Sequence, residues 1–161
     1  ALQKHKPAFF QLRLKGQNMQ ESAKPIQAIC QQHGVKFIVN DSPEIALECN
    51  ADGVHVGISD MAVEKARAML GAKKIIGASC YNSIELANKA VTAGANYVSF
   101  GAFYPTTTKV APAKAELATL IEWKKISDVP CSAIGGINFE NKKPLQDAGA
   151  DYICMVSAIW G

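Results

Sequence analysis

The sequence predicts an α/β protein built as a parallel (β/α)8 barrel, and three observations point to this fold class. Short β-branched and aromatic runs alternate with helical patterns along the whole chain, the order expected of parallel α/β folds. One helix-to-strand joint is repeated in small residues at 49–54, 93–98 and 148–153. Polar residues follow the carboxyl ends of all the predicted strands, which favours a barrel because an open sheet uses chiefly one crevice.

Seven runs are predicted to be strands because β-branched and aromatic residues fill them and turn residues bound them. They span residues 8–14, 36–39, 53–56, 74–78, 96–100, 130–134 and 151–156. Two of the segments between them, 61–70 and 83–93, place apolar residues at helical spacing. The repeated joints carry Gly94 and Gly149, because glycine takes the left-handed conformation that ends a helix.

Length and composition are those of one globular domain. The chain has 161 residues, of which 48% are hydrophobic and 19% charged, and a typical domain has roughly 150 residues. We therefore expect residues 1–161 to form a single domain. No apolar run approaches the roughly 18 residues needed to cross a bilayer, and the first residues do not form a signal peptide. A cytoplasmic protein with no membrane partner is expected.

Net charge and cysteine content bear on two further classes of protein, those that bind nucleic acid and those that use zinc or a redox pair of cysteines. The formal charge of +3 is spread along the chain without a basic block, which argues against nucleic acid as a partner. The five cysteines are an odd number and include no C-x-x-C pair, so neither zinc nor a redox couple is indicated. Structural thiols in a reducing compartment are expected. Whether copies of the chain form a homo-oligomer is left open.

The first predicted strand carries an anion-binding pattern. Gln11, Arg13 and Lys15 alternate with Leu12 and Leu14, so the three polar side chains point to one face. Two cations and an amide inside a barrel mouth would be costly without an anion, and arginine and lysine suit a phosphate or pyrophosphate. The alternative is an edge strand whose basic residues face solvent.

Two aspartates follow the next two strands. Asn40 and Asp41 come directly after the second predicted strand, and Asp60 follows the third. Two carboxylates on adjacent strand ends suit Mg²⁺, which binds one or two carboxylates together with substrate phosphates and water. The alternative is that Asp41 is a turn residue and that Asp60, or its neighbour Ser59, caps the helix predicted at 61–70.

The later strand ends carry groups suited to phosphate oxygens. They are Ser79, Thr106, Thr108, Lys109, Gly136 and Ser157. Paired glycines expose backbone N–H groups, and the loops after the last two strands of such barrels are the usual phosphate site. The alternatives are a flexible surface loop around residues 106–109 and a tight turn at Gly135. The three histidines show no metal spacing, and His55 is interpreted as a core residue.

Six ordered segments together resemble the thiamine phosphate synthase family. They are residues 11–15, 39–41, 51–57, 76–79, 101–109 and 133–137, and the likeness runs from about residue 8 to the end. The resemblance implies a transferase of thiamine biosynthesis and a Mg²⁺-dependent reaction. In that family the hydroxymethylpyrimidine group leaves its pyrophosphate as a pyrimidine-methyl cation, which the nitrogen of a thiazole phosphate captures.

The resemblance also implies a role for each matching residue. Ligands of the pyrimidine pyrophosphate would be Gln11, Arg13, Lys15 and Asn40, with Ser79 and Lys109 completing its pocket. Magnesium would be bound by Asp41 and Asp60. The thiazole phosphate would be held by Thr106, Thr108, Gly136 and Ser157. Catalysis would be carried by Arg13, Lys15, Ser79 and Lys109, because a dissociating pyrophosphate needs charge neutralisation more than a nucleophile.

Substitutions at three positions of the family pattern leave other functions open. Leu14 stands where many relatives carry an acid, and Ile58-Ser59 replaces a glutamine-plus-acid pair. One alternative is a thiazole tautomerase of the same superfamily, although Tyr81 stands where its catalytic histidine would be. A second is a non-catalytic phosphate-binding barrel domain. A third, nucleotide or sugar-phosphate chemistry, explains the glycines but not the paired aspartates.

The predicted strands number one fewer than a complete (β/α)8 TIM barrel requires. They match the second to eighth strands of the family's barrel, so strand 1 and the final helix are expected to be lacking from residues 1–161. Such a barrel would expose apolar edges. We therefore expect the domain boundaries to lie outside this sequence, with most of the catalytic face present.

Overall fold

The computed structural model describes residues 2–14, 18–106 and 113–160. The chain divides into two compact units. The first comprises Ala1–Gly77 with Ala93–Ala95, and the second comprises Ala78–Thr92 with Asn96–Gly161. Within the described ranges, no helix combines the length and the apolar character that a membrane span needs.

Helices and strands alternate in the first unit as the sequence predicts. Its elements are α1 (Leu2–His5), β1 (Phe9–Leu12), α2 (Asn18–Gln32), β2 (Lys36–Asn40), α3 (Pro43–Glu48), β3 (Gly53–Val56) and α4 (Val63–Leu70). Strand β4 (Ile75–Tyr81) begins in this unit and ends in the second. β1 pairs with β2 and β2 with β3, both in parallel.

The second unit repeats the same alternation. Its elements are α5 (Ile84–Thr92), β5 (Tyr97–Gly101), α6 (Leu117–Ile126), β6 (Cys131–Ile134), α7 (Lys143–Asp147), β7 (Tyr152–Ile153) and α8 (Ser157–Trp160). β5 pairs with β6 and β6 with β7, again in parallel. Each of the seven predicted strands is confirmed, with three limits corrected. β1 ends at Leu12 rather than at residue 14, β4 extends to Tyr81 rather than to residue 78, and β7 ends at Ile153 rather than at residue 156. The α/β class with parallel strands is confirmed as well.

In the first unit, one face of the strands is covered by helices. Leu12, Phe37, Val39, Val54 and Val56 belong to a single buried cluster with apolar residues of α2, α3 and α4. Because side chains alternate along a strand, the residues between them point to the opposite face. That face carries the polar residues of β2 and β3.

In the second unit, the helix-facing core is centred on an aromatic pair. The rings of Phe100 on β5 and Trp123 on α6 meet edge to face, with centroids 5.8 Å apart. Both side chains are fully buried, as are Leu120 and Leu145. Edge-to-face aromatic pairs of this kind contribute about 1 kcal/mol beyond the area they bury.

The repeated joint performs the same task in both units. In the first, Asp52 accepts a hydrogen bond from the Phe37 N–H at 2.9 Å. In the second, Asp151 accepts one from the Cys131 N–H at 2.9 Å. Gly94 and Gly149 have φ values of +103° and +105°, so the predicted left-handed helix ends are confirmed. Each aspartate therefore ties the start of its own strand to the start of the preceding one.

The cysteines are structural, as expected. All five are free thiols, and four of them are buried. Burial raises the pKa of Cys80 to about 12 and that of Cys131 to about 11. A thiol with a pKa this high is protonated and unreactive at neutral pH.

Candidate functional site

The polar residues of the first unit lie on the strand face opposite its helices. Asn40 at the end of β2 pairs in register with His55 of β3, and both side chains are buried, at 8% and 7% exposed. Leu12 pairs with Val39, so Arg13 follows β1 at the level of Asn40. Within the described ranges no buried side-chain nitrogen or oxygen lacks a hydrogen-bond partner. Buried polar groups therefore line this face below the strand ends.

The basic residues of β1 are only partly described. Gln11 is half-buried within the strand, and Arg13 is exposed just beyond it. Leu12 is buried in the core, as the predicted alternation requires, but β1 ends there, and Leu14, predicted on the same face, is 41% exposed. Lys15 lies outside the described residues. The anion-binding pattern thus stays a prediction, because only Gln11 lies within β1 and Arg13 follows the end of the strand.

Asp41 occupies a sharp turn at the carboxyl end of β2. Its φ is +66°, a left-handed conformation that costs energy for any residue with a side chain and is best tolerated by Asp and Asn. Its N–H donates to the carbonyl oxygen of His55 at 2.8 Å. Ser42 then begins α3 by accepting a hydrogen bond from the Ile45 N–H. The turn interpretation of Asp41 is correct, and it holds the carboxylate at the strand end.

Asp60 does not cap a helix, so that interpretation is wrong, as is the capping role considered for Ser59. Helix α4 begins after Ala62, which makes no side-chain capping hydrogen bond. The Asp60 carboxylate instead accepts a hydrogen bond from the Gly57 N–H at 2.7 Å. The Asp60 N–H donates back to the Gly57 carbonyl at 3.2 Å. This reciprocal turn fixes the carboxylate directly after β3.

The donor chemistry of this edge fits a hard divalent cation. Asp41 and Asp60 supply carboxylate oxygens, and Asn40 supplies an amide oxygen. Within the described part of the chain, no cluster of three or more His, Cys, Asp or Glu side chains could hold a metal. Mg²⁺ does not need such a cluster, because it takes one or two carboxylates and completes its shell with phosphate oxygens and water.

The second unit carries hydroxyl and backbone groups on and after its strands, and the prediction that Ser79 follows its strand is wrong, because β4 continues to Tyr81. Ser79 on β4 and Thr106 after β5 are half-buried, whereas Ser157 at the start of α8 is exposed. Thr108 and Lys109 lie outside the described residues. The described members of this set are neutral, in contrast to the charged residues of the first unit.

The glycine pair after β6 is required by backbone shape. Gly135 and Gly136 have φ values of +100° and +63°. A Cβ on Gly135 would lie 2.3 Å from the Cβ of Ala102, and one on Gly136 would lie 2.3 Å from the carbonyl oxygen of Pro105. The tight-turn interpretation is therefore correct. It is compatible with phosphate binding, because both functions use an exposed glycine backbone.

Asn141 is a positioning group that the sequence analysis missed. Its side-chain amide donates to the Gly136 carbonyl at 3.0 Å, and its amide oxygen accepts from the Asn138 N–H at 2.8 Å. The Tyr104 hydroxyl donates to the Asn141 carbonyl at 2.9 Å. One residue thus joins the loops that follow β5 and β6. The sequence pattern that could have identified this residue is the pair Asn138 and Asn141, which are spaced three apart after two glycines.

A second group missed from the sequence lies on the strands of the second unit. The hydroxyls of Ser99 on β5 and Ser132 on β6 hydrogen bond to each other, and both side chains are buried. Burial also raises the pKa of Tyr97. This face of the second unit is therefore polar but uncharged at neutral pH.

The sequence profile of a family described as thiamine monophosphate synthase matches residues 1–159. A thiamine-phosphate synthase from Hyphomonas neptunium is 46% identical over 160 residues, which cover 95% of this chain and 72% of that protein. A thiamine-phosphate synthase from Pelagibacter ubique is 46% identical over 162 residues, which cover 99% of this chain and 78% of that protein.

A solved structure agrees with the sequence relatives. The thiamine phosphate pyrophosphorylase from Pyrococcus furiosus has a TM-score of 0.84 and 33% sequence identity, and the match covers 94% of this chain and 74% of that one. Fold and sequence point to the same group of proteins. The chain belongs to the thiamine monophosphate synthase family.

Proposed function

We propose that the chain is a Mg²⁺-dependent thiamine-phosphate synthase, a transferase of thiamine biosynthesis. The carbon–oxygen bond between the hydroxymethylpyrimidine group and its pyrophosphate breaks, and pyrophosphate leaves with the bonding electrons. The ring nitrogen of a thiazole phosphate then forms the new carbon–nitrogen bond of thiamine phosphate. The observation that carries the proposal is the 46% identity to two thiamine-phosphate synthases over 95% and 99% of the chain.

The first unit would bind the pyrimidine pyrophosphate. Gln11, Arg13 and Asn40, together with Lys15, would contact its oxygens, since guanidinium, ammonium and amide groups all donate hydrogen bonds. Asp41 and Asp60 would hold Mg²⁺. When bound, the ion supplies positive charge to the departing pyrophosphate. The fixed turns at Asp41 and Asp60 support this assignment, because they place both carboxylates directly after adjacent parallel strands.

The second unit would bind the thiazole phosphate. Thr106, Thr108, Gly136 and Ser157 would donate hydrogen bonds to its oxygens, while Ser79 and Lys109 would contact the pyrophosphate. Neutral donors are sufficient for a phosphate monoester that does not leave during the reaction. In contrast, the pyrophosphate gains charge as its bond to carbon breaks, so the cations are needed where it departs.

The barrel architecture is also a proposal. We assign the seven strands to the second to eighth of a (β/α)8 TIM barrel that lacks strand 1 and the final helix in residues 1–161, which would form a single domain. The TM-score of 0.84 to the Pyrococcus furiosus protein supports this assignment. We further propose a cytoplasmic location, supported by five free cysteines, and small-molecule substrates as the ligands.

Product formation tests the function directly. The chain is mixed with hydroxymethylpyrimidine pyrophosphate, thiazole phosphate and Mg²⁺, and thiamine phosphate is measured. We expect turnover that EDTA abolishes and that Asp41→Asn removes. Asp128→Asn is a matched control, because Asp128 is an exposed residue between α6 and β6. Isomerisation of the thiazole without the pyrimidine substrate would indicate a tautomerase, and phosphate binding without turnover would indicate a non-catalytic domain.

A further inference from the structure

The turn after β3 is closed by two residues that bond to each other. The Gly57 N–H donates to Oδ2 of Asp60 at 2.7 Å, and the Asp60 N–H donates to the Gly57 carbonyl at 3.2 Å. A carboxylate that accepts a backbone hydrogen bond is held in one orientation before any ligand arrives. The position of this carboxylate is therefore set by residue 57.

Residue 57 must lack a side chain for this contact to form. A Cβ on Gly57 would lie 2.8 Å from Oδ2 of Asp60, and the next neighbouring atom within 4 Å is the Asp60 Cγ at 3.8 Å. Both atoms belong to the carboxylate itself. A methyl group here would therefore displace the Asp60 side chain and leave the surrounding packing in place.

Gly57 differs in this respect from the other glycines of the first unit. Gly34 and Gly71 have φ values of +66° and +75° and meet no atom within 4 Å of a Cβ, so backbone conformation explains them. Gly53 would meet the carbonyl oxygen of Ile75 at 2.0 Å, so strand packing explains it. Gly57 has neither a left-handed φ nor a backbone clash. Its close contact is with a carboxylate proposed to bind Mg²⁺.

We propose that Gly57 is a positioning residue for the Asp60 carboxylate, orienting it toward a divalent cation through its N–H and its missing side chain. The inference rests on the proposed function, in which Asp60 is a magnesium ligand. Groups that orient a metal ligand through a hydrogen bond contribute about 10- to 100-fold to metal affinity. Replacing Gly57 should weaken cation binding by this factor without removing a charge.

Cation binding is measured directly on the full chain. Mn²⁺ replaces Mg²⁺ as a spectroscopic probe, and the free ion is quantified by electron paramagnetic resonance in the presence of inorganic pyrophosphate. Four proteins are compared, namely the unsubstituted chain, Gly57→Ala, Asp60→Asn and Gly34→Ala. The last is the matched control, because it makes the same chemical change in the same unit away from any carboxylate.

We expect Gly57→Ala to weaken Mn²⁺ binding about 10- to 100-fold, and Gly34→Ala to leave it unchanged. In the product assay, Gly57→Ala should raise the Mg²⁺ concentration needed for half-maximal turnover, and excess Mg²⁺ should restore most of kcat. A generally damaged fold would lower kcat at every Mg²⁺ concentration. Thermal melting of both glycine variants provides the comparison of stability.

The possible failures are distinguishable. If Asp60→Asn weakens Mn²⁺ binding but Gly57→Ala does not, the positioning role is wrong and the metal assignment stands. If neither variant changes Mn²⁺ binding, the metal assignment in the proposed function is wrong as well. Should Gly57→Ala fail to fold, Asp60→Glu moves the carboxylate by one methylene beside an intact Gly57. Unchanged Mn²⁺ binding by Asp60→Glu would then overturn the proposal.

Discussion

The two units are alike at the amino ends of their strands and different at the carboxyl ends. At the amino ends, Asp52 and Asp151 each accept a hydrogen bond from a backbone N–H of the neighbouring strand, at 2.9 Å. Each carboxylate also pairs with a lysine, Lys36 at 2.9 Å and Lys124 at 3.3 Å. The repeated joint therefore serves folding, and Asp52 and Asp151 play the same part where the chain enters β3 and β7.

At the carboxyl ends, the first unit places Arg13, Asp41 and Asp60, and the second unit places hydroxyls and a glycine backbone. The charged residues can bind an ion and a pyrophosphate, while the neutral donors suit a phosphate that stays on its substrate. The two units thus share the aspartate hydrogen bond at the amino ends of their strands, and the residues proposed to bind substrate lie toward the carboxyl ends.

We call the strand-end residues Arg13, Asp41 and Asp60 of the first unit the charged edge. The largest loss of activity is expected from a substitution there. Asp60→Asn keeps an oxygen that can accept the Gly57 N–H but removes the negative charge that would bind Mg²⁺. We predict that kcat/KM falls by roughly three orders of magnitude, about 4 kcal/mol. Steady-state kinetics at saturating Mg²⁺ provide the measurement. A loss smaller than tenfold would show that the charge of Asp60 is not used by the reaction.

The next largest effect is a loss of stability at the amino ends of the strands, where Asp52 and Asp151 make matching hydrogen bonds. Asp52→Ala and Asp151→Ala should each lower the free energy of unfolding by about 2 kcal/mol, because each removes the charged partner of a strand N–H. The two losses should be similar, and kcat should change less than twofold well below the melting temperature. Urea unfolding monitored by circular dichroism gives the values. Losses of unfolding free energy that differ by more than a factor of three would show that the two aspartates do not stabilise the fold alike.

The effect of Asp52 should also depend on pH. Burial acts to raise its pKa, but the Phe37 N–H and the Lys36 ammonium together outweigh it, so the pKa of Asp52 in the folded protein is lowered. A carboxyl with a lowered folded pKa stabilises the fold above its unfolded pKa, and this contribution is lost as pH falls through both values. The stability difference between the unsubstituted chain and Asp52→Ala should therefore shrink below about pH 4. A difference that stays constant to pH 2 would contradict this account.

We call the hydroxyl and glycine backbone groups of the second unit the neutral edge. A smaller effect on substrate binding is expected there. Asn141→Ala removes the hydrogen bond to the Gly136 carbonyl, so the glycine loop loses its support. We predict a rise of about tenfold in KM for the thiazole phosphate, ~1.4 kcal/mol, with KM for the pyrimidine pyrophosphate unchanged. Tyr104→Phe removes a single hydroxyl from the same network and should have a weaker effect in the same direction. An equal rise in both KM values would place Asn141 outside thiazole phosphate binding.

The smallest expected effect concerns the lysines of the joints. Lys36→Ala should cost less than about 1 kcal/mol of unfolding free energy, because exposed ion pairs are weak. Lys124→Ala is the counterpart in the second unit and should behave alike. Chemical unfolding at low and high salt is the measurement. A salt-independent loss above 2 kcal/mol for either lysine would show that the side chain does more than pair with its aspartate.

Sequence patterns predicted the strands well because local composition determines them. Runs such as 36–39 and 53–56 are β-branched and lie next to turn residues, so their placement needs no tertiary information. Gly94 and Gly149 were likewise predictable, because a left-handed helix end favours glycine. These features are local in the chain.

The side-chain hydrogen bonds of Asp60, Asn141 and Ser99 were not predictable from the sequence. Asp60 has the spacing of a helix cap, but its carboxylate turns back to the Gly57 N–H, and the sequence contains no sign of which N–H it prefers. Asn141 supports Gly136 only because the loop after β6 folds back on itself. The Ser99–Ser132 pair depends on the register of two strands. The first two partners are chosen by the geometry of a local turn and the third by strand pairing, and residue type and spacing reveal neither.

We propose that the charged edge of the first unit binds Mg²⁺ and pyrophosphate and that the neutral edge of the second binds the thiazole phosphate. Calorimetric titration of the full chain with pyrophosphate, with and without Mg²⁺, tests it most directly. We predict that the Asp41→Asn/Asp60→Asn double variant loses the Mg²⁺-dependent part of pyrophosphate binding and still binds thiazole phosphate within about twofold of the unsubstituted affinity. Pyrophosphate binding with an unchanged Mg²⁺ dependence in the double variant would contradict the claim.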